Sequence, residues 1–215
     1  ARAKFEEAID VILKAWTSNE RFSHQGKFWN FTDIVVEPPP FRKPHPVVWM
    51  GAGSESSIRD VARRGFNLLL GQYASPADVA RNIAIFRSAV EAKGEPWDPM
   101  RVGVTRAFFV TDDPREREEA LERRLANRLR QLKLATTPDG RVLGGPDRAD
   151  GDPVQINLNS AIYGPPDEIA RKIEALREAG AGYLLINGGG SGGGERGRHS
   201  LRRFAREVMP GFTTT

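Results

Sequence analysis

The feature of this sequence that most constrains the fold is a series of unbroken apolar segments, each followed by a helical pattern. The segments are 47–51, 67–71, 102–110 and 183–187. Strands that are apolar along their whole length are typical of a parallel sheet whose faces are covered by helices. The sequence therefore predicts an α/β fold, either an open doubly wound sheet or part of an eight-stranded barrel.

The residues after the first strand distinguish these two architectures. A doubly wound nucleotide-binding sheet carries a glycine fingerprint at that point, with an acidic residue about twenty positions later. The sequence after Val47–Met50 lacks that fingerprint. Strand–helix units preceded by an N-terminal helix fit the second half of a barrel. We therefore predict a (β/α)8 TIM barrel whose N-terminal strands are missing from this chain, and we expect the sequence to be the later part of a longer protein.

The residues before the first apolar segment predict a helix, a hairpin and an extended crossing. Phe5, Ile9, Ile12, Leu13 and Trp16 fall at helical spacing. Gln25-Gly26 has turn chemistry between aromatic residues. The prolines between positions 38 and 46 exclude a helix there.

The whole chain, 1–215, is expected to form a single domain with one long loop. Residues 135–160 are rich in glycine, proline and aspartate and fit neither a strand nor a helix well. A loop of this length is either a lid over a site or disordered. The last helix is predicted over 200–212, in "SLRRFAREVMPGF".

Composition excludes several classes of function. The chain is 39% hydrophobic and 28% charged, which is typical of a globular protein. It contains no cysteine, which excludes disulfides and thiolate metal sites, and its three scattered histidines argue against a metal centre. The net charge is +4, but "DDPREREEALERRLANRLRQLK" interleaves bases with acids, which is typical of a solvated helix face. We expect a cytoplasmic protein that binds neither nucleic acid nor a membrane.

The stretch "MGAGSESS" at the end of the first strand is the candidate binding site. Gly51 and Gly53 allow a tight turn and close approach of a ligand to the backbone. Ser54 is a natural N-cap, and Ser57 follows in the first turn. Free amides, the helix dipole and two hydroxyls favour a phosphate. The same residues also make an ordinary capped turn, so the residues alone leave both interpretations open.

Several segments together resemble a known family. They are "FEEAIDVILKAW", "FSHQGKFWNFTDIVVEPPPFRKPHPVVWMGAGSESSIRDVARRG", "AIYGPPDEIARKIEALREAGAGYLLIN" and "RRFAREVMPGF". In this order they resemble the C-terminal two-thirds of the bacterial luciferase-like flavin-dependent monooxygenases. The resemblance implies a TIM barrel, usually a homodimer, that binds FMN at the carboxyl ends of its strands.

The resemblance also assigns cofactor-binding residues. It implies that the flavin phosphate lies against Gly51, Ala52 and Gly53, with the hydroxyls of Ser54 and Ser57. It places Gln72 and Tyr73 where the family lines its isoalloxazine and substrate pocket, although Tyr73 fits a mobile surface loop equally well.

The implied reaction is two-component monooxygenation of a small organic substrate by dioxygen. A partner flavin reductase supplies reduced FMN, and the protein holds the flavin and excludes water. The family's catalytic histidine usually lies on strands that this chain lacks, so no catalytic residue is assigned. One alternative is hydride transfer with a deazaflavin, although "RRGFNLLLG" lacks the G-D-G that such relatives often carry. Another alternative is a non-catalytic flavin-binding protein.

Other polar residues are weaker candidates. His24, in the hairpin, is expected to be structural or exposed, and His45, between two prolines, to fix the crossing segment. Arg106 lies within a strand, where it would be a buried charge in need of a partner, and is a candidate pocket residue. "GGGSGGGERG", before Arg198 and His199, is either a phosphate-binding nest or a flexible segment.

Overall fold

A computed structural model of the chain describes residues 2–140, 151–188 and 193–212. It divides into two compact units, one before and one after the junction between Val48 and Trp49.

The first unit contains a helix and a two-stranded hairpin. Helix α1 spans Arg2–Thr17, and the antiparallel strands β1 and β2 span Phe22–Gln25 and Asn30–Ile34. The Gly26 amide donates to the Trp29 carbonyl at 3.0 Å inside the turn. The helix and the hairpin turn therefore lie where the sequence predicts them.

Glu7 joins the helix to the hairpin. Its carboxylate accepts hydrogen bonds from the amides of Trp29, at 2.8 Å, and Phe28, at 3.1 Å, and lies 3.3 Å from His24 Nε2. Burial raises the pKa of Glu7, but these hydrogen bonds outweigh it and leave the pKa below its ordinary value. His24 thus has the structural role expected of it, and His45 Nδ1 lies 2.7 Å from the Pro46 carbonyl of the crossing segment.

The second unit is built on a parallel sheet. Its strands are β3 (Trp49–Gly51), β4 (Asn67–Leu70), β5 (Val102–Val110), β6 (Ile162–Gly164) and β7 (Tyr183–Asn187). β3 pairs with β4, β4 with β5, and β5 with both β6 and β7, all in parallel. All of the predicted apolar segments contain strands of this sheet, which confirms the predicted parallel α/β fold. β6 is additional, and at only three residues it is too short to give a periodic pattern.

Helices follow most of the strands. They are α2 (Glu55–Arg63), α3 (Pro76–Glu91), α4 (Pro114–Ala135), α5 (Pro153–Ser160), α6 (Pro166–Glu178) and α7 (Gly194–Arg203). A 3-10 turn, Pro99–Arg101, precedes β5, and α7 continues into a π-helical turn, Phe204–Val208, and a 3-10 turn, Met209–Gly211. Apolar residues from both helices and strands are fully buried, among them Ile58, Val79, Phe86, Leu68 and Val104. The final helix starts at Gly194, earlier than predicted; the sequence pattern did not indicate this start, because glycine has a low helix propensity.

The predicted loop over 135–160 is shorter than expected. Helix α4 continues to Ala135, and Pro153–Ser160 is helical. Asp152 caps α5 by accepting from the Val154 amide at 2.9 Å, and a proline occupies the first turn. The sequence did not predict α5 because its last turn is fixed by hydrogen bonds from Arg124 on α4. Residues 141–150 lie outside the described part of the chain.

None of the helices in the described ranges combines the length and apolar character needed to cross a membrane.

Candidate functional site

The carboxyl ends of β3 and β4 border a cleft of about 780 Å³. Its lining includes Gly51, Ala52, Gly53, Gln72 and Tyr73, which are five of the seven predicted cofactor-binding residues. Pockets that hold a cofactor-sized ligand usually measure roughly 300–1,000 Å³. The cleft therefore has the size and the position expected of a ligand site in a parallel α/β protein.

One wall of the cleft is a helix that the sequence analysis left out of the site. The last two turns of α4 contribute Arg128, Gln131, Leu132, Leu134 and Ala135. The prediction that this charged run is a solvated face is therefore wrong for part of the helix. Arg128 is 3% exposed and Arg124, one turn earlier, is 5% exposed. Their spacing of four residues within a run of charges was the available signal, but it does not show which side of the helix is covered.

Helix α2 begins beside the cleft with a capping box. The Ser54 hydroxyl accepts from the Ser57 amide at 3.3 Å, and the Ser57 hydroxyl oxygen accepts from the Ser54 amide at 3.2 Å. The Ser57 hydroxyl also lies 2.8 Å from the Ser54 carbonyl, to which it donates. Both serines are therefore helix caps, whatever else they bind.

The caps leave a defined set of donors for an anion. A hydroxyl carries one proton, and that of Ser57 is used by the Ser54 carbonyl. The amides of Glu55 and Ser56 come before that of Ile58, which is the first to donate along the helix, to the Ser54 carbonyl, and the described residues offer these two amides no acceptor. The Ser54 hydroxyl lies 2.8 Å from that of Ser57, to which it donates because the Ser57 proton is already used, and 3.3 Å from that of Ser56. Ser56, which the sequence analysis missed although it lies in the same motif, is thus a better donor candidate than Ser57.

The residues present fit a phosphate monoester at this helix start. Two free amides, the positive end of the helix dipole and the Ser56 hydroxyl all lie next to the backbone of Gly51–Gly53. The Ala52 amide already donates to the Leu69 carbonyl at 3.3 Å, so Ala52 contributes a wall and no donor.

Tyr73 is held by two arginines. The guanidinium carbons of Arg128 and Arg124 lie 4.0 Å and 4.6 Å from the centre of its ring. Such cation–π contacts strengthen when the cation is desolvated, and both arginines are buried. Tyr73 is itself half-buried, which argues against the mobile surface loop considered for it.

Arg124 fixes the backbone that carries Gln72. Its Nη2 donates to the Gln72 carbonyl at 3.3 Å and to the Ser160 hydroxyl at 3.0 Å. Its Nη1 donates to the Asn157 carbonyl at 3.0 Å and to Asn157 Oδ1 at 2.6 Å. Burial lowers the pKa of Arg124 below its ordinary value.

Arg106 supports the same loop from the sheet. It is 2% exposed, and its guanidinium donates to the carbonyls of Gly71, at 3.2 Å, and Ala74, at 2.6 Å. The expected partner of this buried charge is therefore the loop after β4. Arg106 lies outside the lining of the cleft, so its predicted role as a pocket residue is replaced by a role in positioning the loop.

The glycine-rich segment does not join this cleft in the described residues. Residues 189–192, which are part of the predicted phosphate nest, lie outside the described part of the chain. Arg198 is exposed on α7 and pairs with Glu195, with Nε 3.0 Å from Oε1. His199 is exposed on the same helix.

Solved structures share this fold. The monooxygenase RslO1 from Streptomyces bottropensis matches 99% of the chain with a TM-score of 0.72 and 19% identity, and the match covers 62% of that protein. An F420-dependent secondary alcohol dehydrogenase matches 97% of the chain with a TM-score of 0.68 and 16% identity, covering 61% of that protein.

Comparison of the sequence with curated proteins finds a flavin-dependent monooxygenase among the relatives. The FMNH2-dependent dimethylsulfone monooxygenase of Pseudomonas putida is 25% identical over 218 aligned residues, which cover 95% of this chain and 56% of the relative. The chain thus spans about three-fifths of the length of the proteins it matches. The model of one family, luciferase-like monooxygenase, matches residues 1–182. With this match over most of its length, the chain belongs to the luciferase-like monooxygenase family.

Proposed function

We propose that the chain forms the cofactor-binding part of an FMN-dependent monooxygenase, which uses reduced FMN and dioxygen to oxidise a small organic substrate. The observation that carries the proposal is the start of α2. Its free amides and serine hydroxyls lie beside a cleft at the carboxyl ends of parallel strands. Membership of a family that contains an FMNH2-dependent monooxygenase supports the choice of cofactor.

The residues of this chain would have separate roles toward FMN. The amides of Glu55 and Ser56 and the hydroxyl of Ser56 would bind the phosphate. The apolar walls at Leu69 and Leu70 and the ring of Tyr73 would hold the flavin ring system and exclude water. When bound, reduced FMN supplies the oxygen-activating chemistry, and the protein supplies binding and orientation.

The proposal includes the partners of a two-component system. A flavin reductase supplies the reduced FMN, and the oxygenase acts as a cytoplasmic homodimer.

Substitutions at Ser54 separate phosphate binding from helix capping. Ser54→Asp keeps an N-cap side chain but places a negative charge where the phosphate would lie. We expect this variant to keep the melting temperature of the wild type, to bind riboflavin equally well and to bind FMN at least about 10-fold more weakly. Fluorescence titration with both flavins measures this difference.

A second variant serves as the control. Ser57→Ala removes a capping contact and should lower stability by about 1 kcal/mol, while it reduces the affinities for FMN and riboflavin by the same factor. If Ser54→Asp also weakens FMN and riboflavin equally, the serines act only as caps and the phosphate site is wrong.

The two alternatives, hydride transfer with a deazaflavin and non-catalytic flavin binding, predict different results in the same measurements. Tight binding of a deazaflavin, together with unchanged oxidation of reduced FMN by dioxygen, would replace monooxygenation with hydride transfer. Binding of FMN with no effect on the rate at which reduced FMN is oxidised would identify a non-catalytic flavin-binding protein. Stopped-flow absorbance of the flavin distinguishes these outcomes.

A further inference from the structure

A smaller pocket of about 220 Å³ adjoins the cleft. Four residues, Gln72, Tyr73, Gln131 and Leu134, line both. The rest of its lining consists of Ala107, Arg124, Asn127, Arg130, Tyr163 and Asn187. Pockets that hold a whole ligand usually measure roughly 300–1,000 Å³. This pocket therefore has room for one end group of a molecule whose remainder lies in the larger cleft.

The lining of this pocket is rich in hydrogen-bond donors. Two arginines, two tyrosines and several side-chain amides line it, and its described lining contains no aspartate or glutamate. Charges interact more strongly when they are away from bulk water. The pocket is thus electropositive and suited to an anion.

Tyr163 brings an unused donor to the pocket. The residue is 0% exposed, and its hydroxyl has no hydrogen-bond partner among the described residues. Its ring packs edge-on against Phe109, with the ring centres 6.2 Å apart, which fixes the phenol in place. Buried polar groups in native proteins are nearly always hydrogen-bonded, so an orphan hydroxyl that lines a pocket indicates a missing acceptor.

The phenol keeps its proton over the whole physiological range. Burial raises the pKa of Tyr163 to about 12, against a smaller opposing effect of the Arg124 charge. It is therefore a hydrogen-bond donor to any oxygen that enters the pocket.

Arg124 brings a buried charge to the same pocket. Within the described residues its hydrogen bonds go to neutral oxygens of Asn157, Gln72 and Ser160, and its Nε is buried with no acceptor there. A buried charge is stabilised best by an opposite charge. No residue among the described contacts of Arg124 supplies that opposite charge, so an anionic ligand could supply it.

From these two side chains we propose that the pocket binds the oxyanion head group, a carboxylate or a sulfonate, of the organic substrate. Tyr163 donates its hydroxyl proton to the head group, and Arg124 supplies the neutralising charge. The apolar part of the substrate extends into the larger cleft. The assignment of this anion as the substrate rests on the proposed monooxygenase function, whereas the anion site itself does not.

The experiment compares probes of one length and different heads. Hexanoate, hexane-1-sulfonate and hexan-1-ol are titrated into the wild-type protein and Tyr163→Phe, and binding is followed by isothermal calorimetry. We expect both anions to bind the wild type at least about 10-fold more tightly than the alcohol, since hydrogen bonds to charged groups are the stronger class. Tyr163→Phe should lose about 10-fold in affinity for the anions and leave the alcohol unchanged. Preference for one anion over the other identifies the head group.

Tyr183→Phe is the matched control. Tyr183 is 46% exposed on β7 and lies outside the pocket, so this variant should bind all probes as the wild type does. Without ligand, Tyr163→Phe should keep or raise the melting temperature, because it removes a buried hydroxyl that has no described acceptor. A clear fall in that temperature would show that the hydroxyl is already satisfied and would overturn the proposal.

Two further results distinguish this proposal from the proposed function. Equal affinity for hexanoate and hexan-1-ol, in a protein that binds FMN, overturns the anion pocket alone. Tyr163-dependent binding of hexanoate, in a protein that does not bind FMN, supports the anion pocket and overturns the flavin assignment.

Discussion

Arg124 joins three parts of the second unit through one guanidinium group. It is carried by α4 and donates to oxygens of α5 and of the loop after β4. The planar fork of arginine places several donors in fixed directions, whereas lysine offers a single ammonium. Its substitution therefore leaves several oxygens without a donor.

Loss of these hydrogen bonds should lower the stability of the protein. Arg124→Lys should lower the free energy of unfolding by roughly 2–3 kcal/mol, because buried acceptors lose their hydrogen bonds. Urea denaturation followed by circular dichroism measures the change. Arg171→Lys is the control, since Arg171 is exposed and pairs with Asp167 on one helix face; its effect should stay within about 0.5 kcal/mol. Equal effects of the two substitutions would show that the Arg124 contacts add nothing to stability.

The positions of residues at the strand ends could be predicted from the sequence, whereas the buried contacts of Arg124 could not. The positions of Gly51, Gly53, Gln72 and Tyr73 follow from where two strands stop, because parallel strands end at a common edge. Arg124 meets its partner Asn157 across 33 residues of sequence. No local pattern records such a contact, and a run of mixed charges on α4 argues against burial.

Elements whose ends are set by local contacts lie close to where the sequence places them. Ser54 caps α2, and Ser75 with Asp78 forms the capping box of α3. The serine hydroxyl holds the pKa of Asp78 below its ordinary value. Strand β6 and helix α5 were not predicted, because a three-residue strand and a short polar helix depend on the sheet and on α4 for their stability.

The C-terminal turns make a prediction about pH. Arg203 lies 2.8 Å from both Asp112, which follows β5, and Glu207 of the π-helical turn. Hydrogen bonds from Arg203 and Arg206 lower the pKa of Glu207 to about 2. The unfolded chain binds this proton near the ordinary value of 4.5. The contribution of Glu207 is therefore fully present above that value and is lost as the pH falls toward about 2.

Melting temperatures across this range test the effect. Glu207→Gln should melt below the wild type at pH 7, and the difference should shrink as the pH falls from 4.5 to about 2. Glu178→Gln, at an exposed site on α6, should follow the wild type throughout. A difference between Glu207→Gln and the wild type that stays constant down to pH 2 would contradict the pairing.

The two units differ in how many hydrophobic side chains they bury. Among the described residues of the first unit, Val11 is the one hydrophobic residue that is buried. The second unit holds the rest of the buried core, including β5, which is buried along almost its whole length. Regions with few buried apolar groups open at low free-energy cost.

The rates of amide hydrogen exchange should therefore differ between the two units. Amides of the β1–β2 hairpin should exchange at least about 100-fold faster than those of β5, since a difference of about 2.7 kcal/mol in opening free energy gives that ratio. Mass spectrometry of peptides from deuterium-labelled protein measures both. Similar protection in the hairpin and in β5 would mean that the first unit is stabilised by more than its own core.

The parallel sheet was predictable because its strands are apolar on both faces, and helices covering both faces require this pattern. The order of the strands in the sheet could not be predicted from their apolar character, and β5 shows the reason. Its residues 102–104 pair with β4, residues 103–107 with β7 and residues 108–110 with β6. Such sharing of one strand depends on long-range packing.

The hydrogen bonds of Arg124 determine which residues around the smaller pocket can be substituted without loss of stability. Two of its bonds go to main-chain oxygens, those of Gln72 and Asn157, which no substitution of those side chains removes. The smaller pocket, which Arg124 also lines, is lined by three exposed residues of α4: Asn127, Gln131 and Leu134. Mutations at these three positions therefore change the lining of the pocket and leave the main-chain bonds of Arg124 in place. Variants at these three positions are therefore expected to differ in the ligands that the proposed pocket binds and to keep the stability of the wild type.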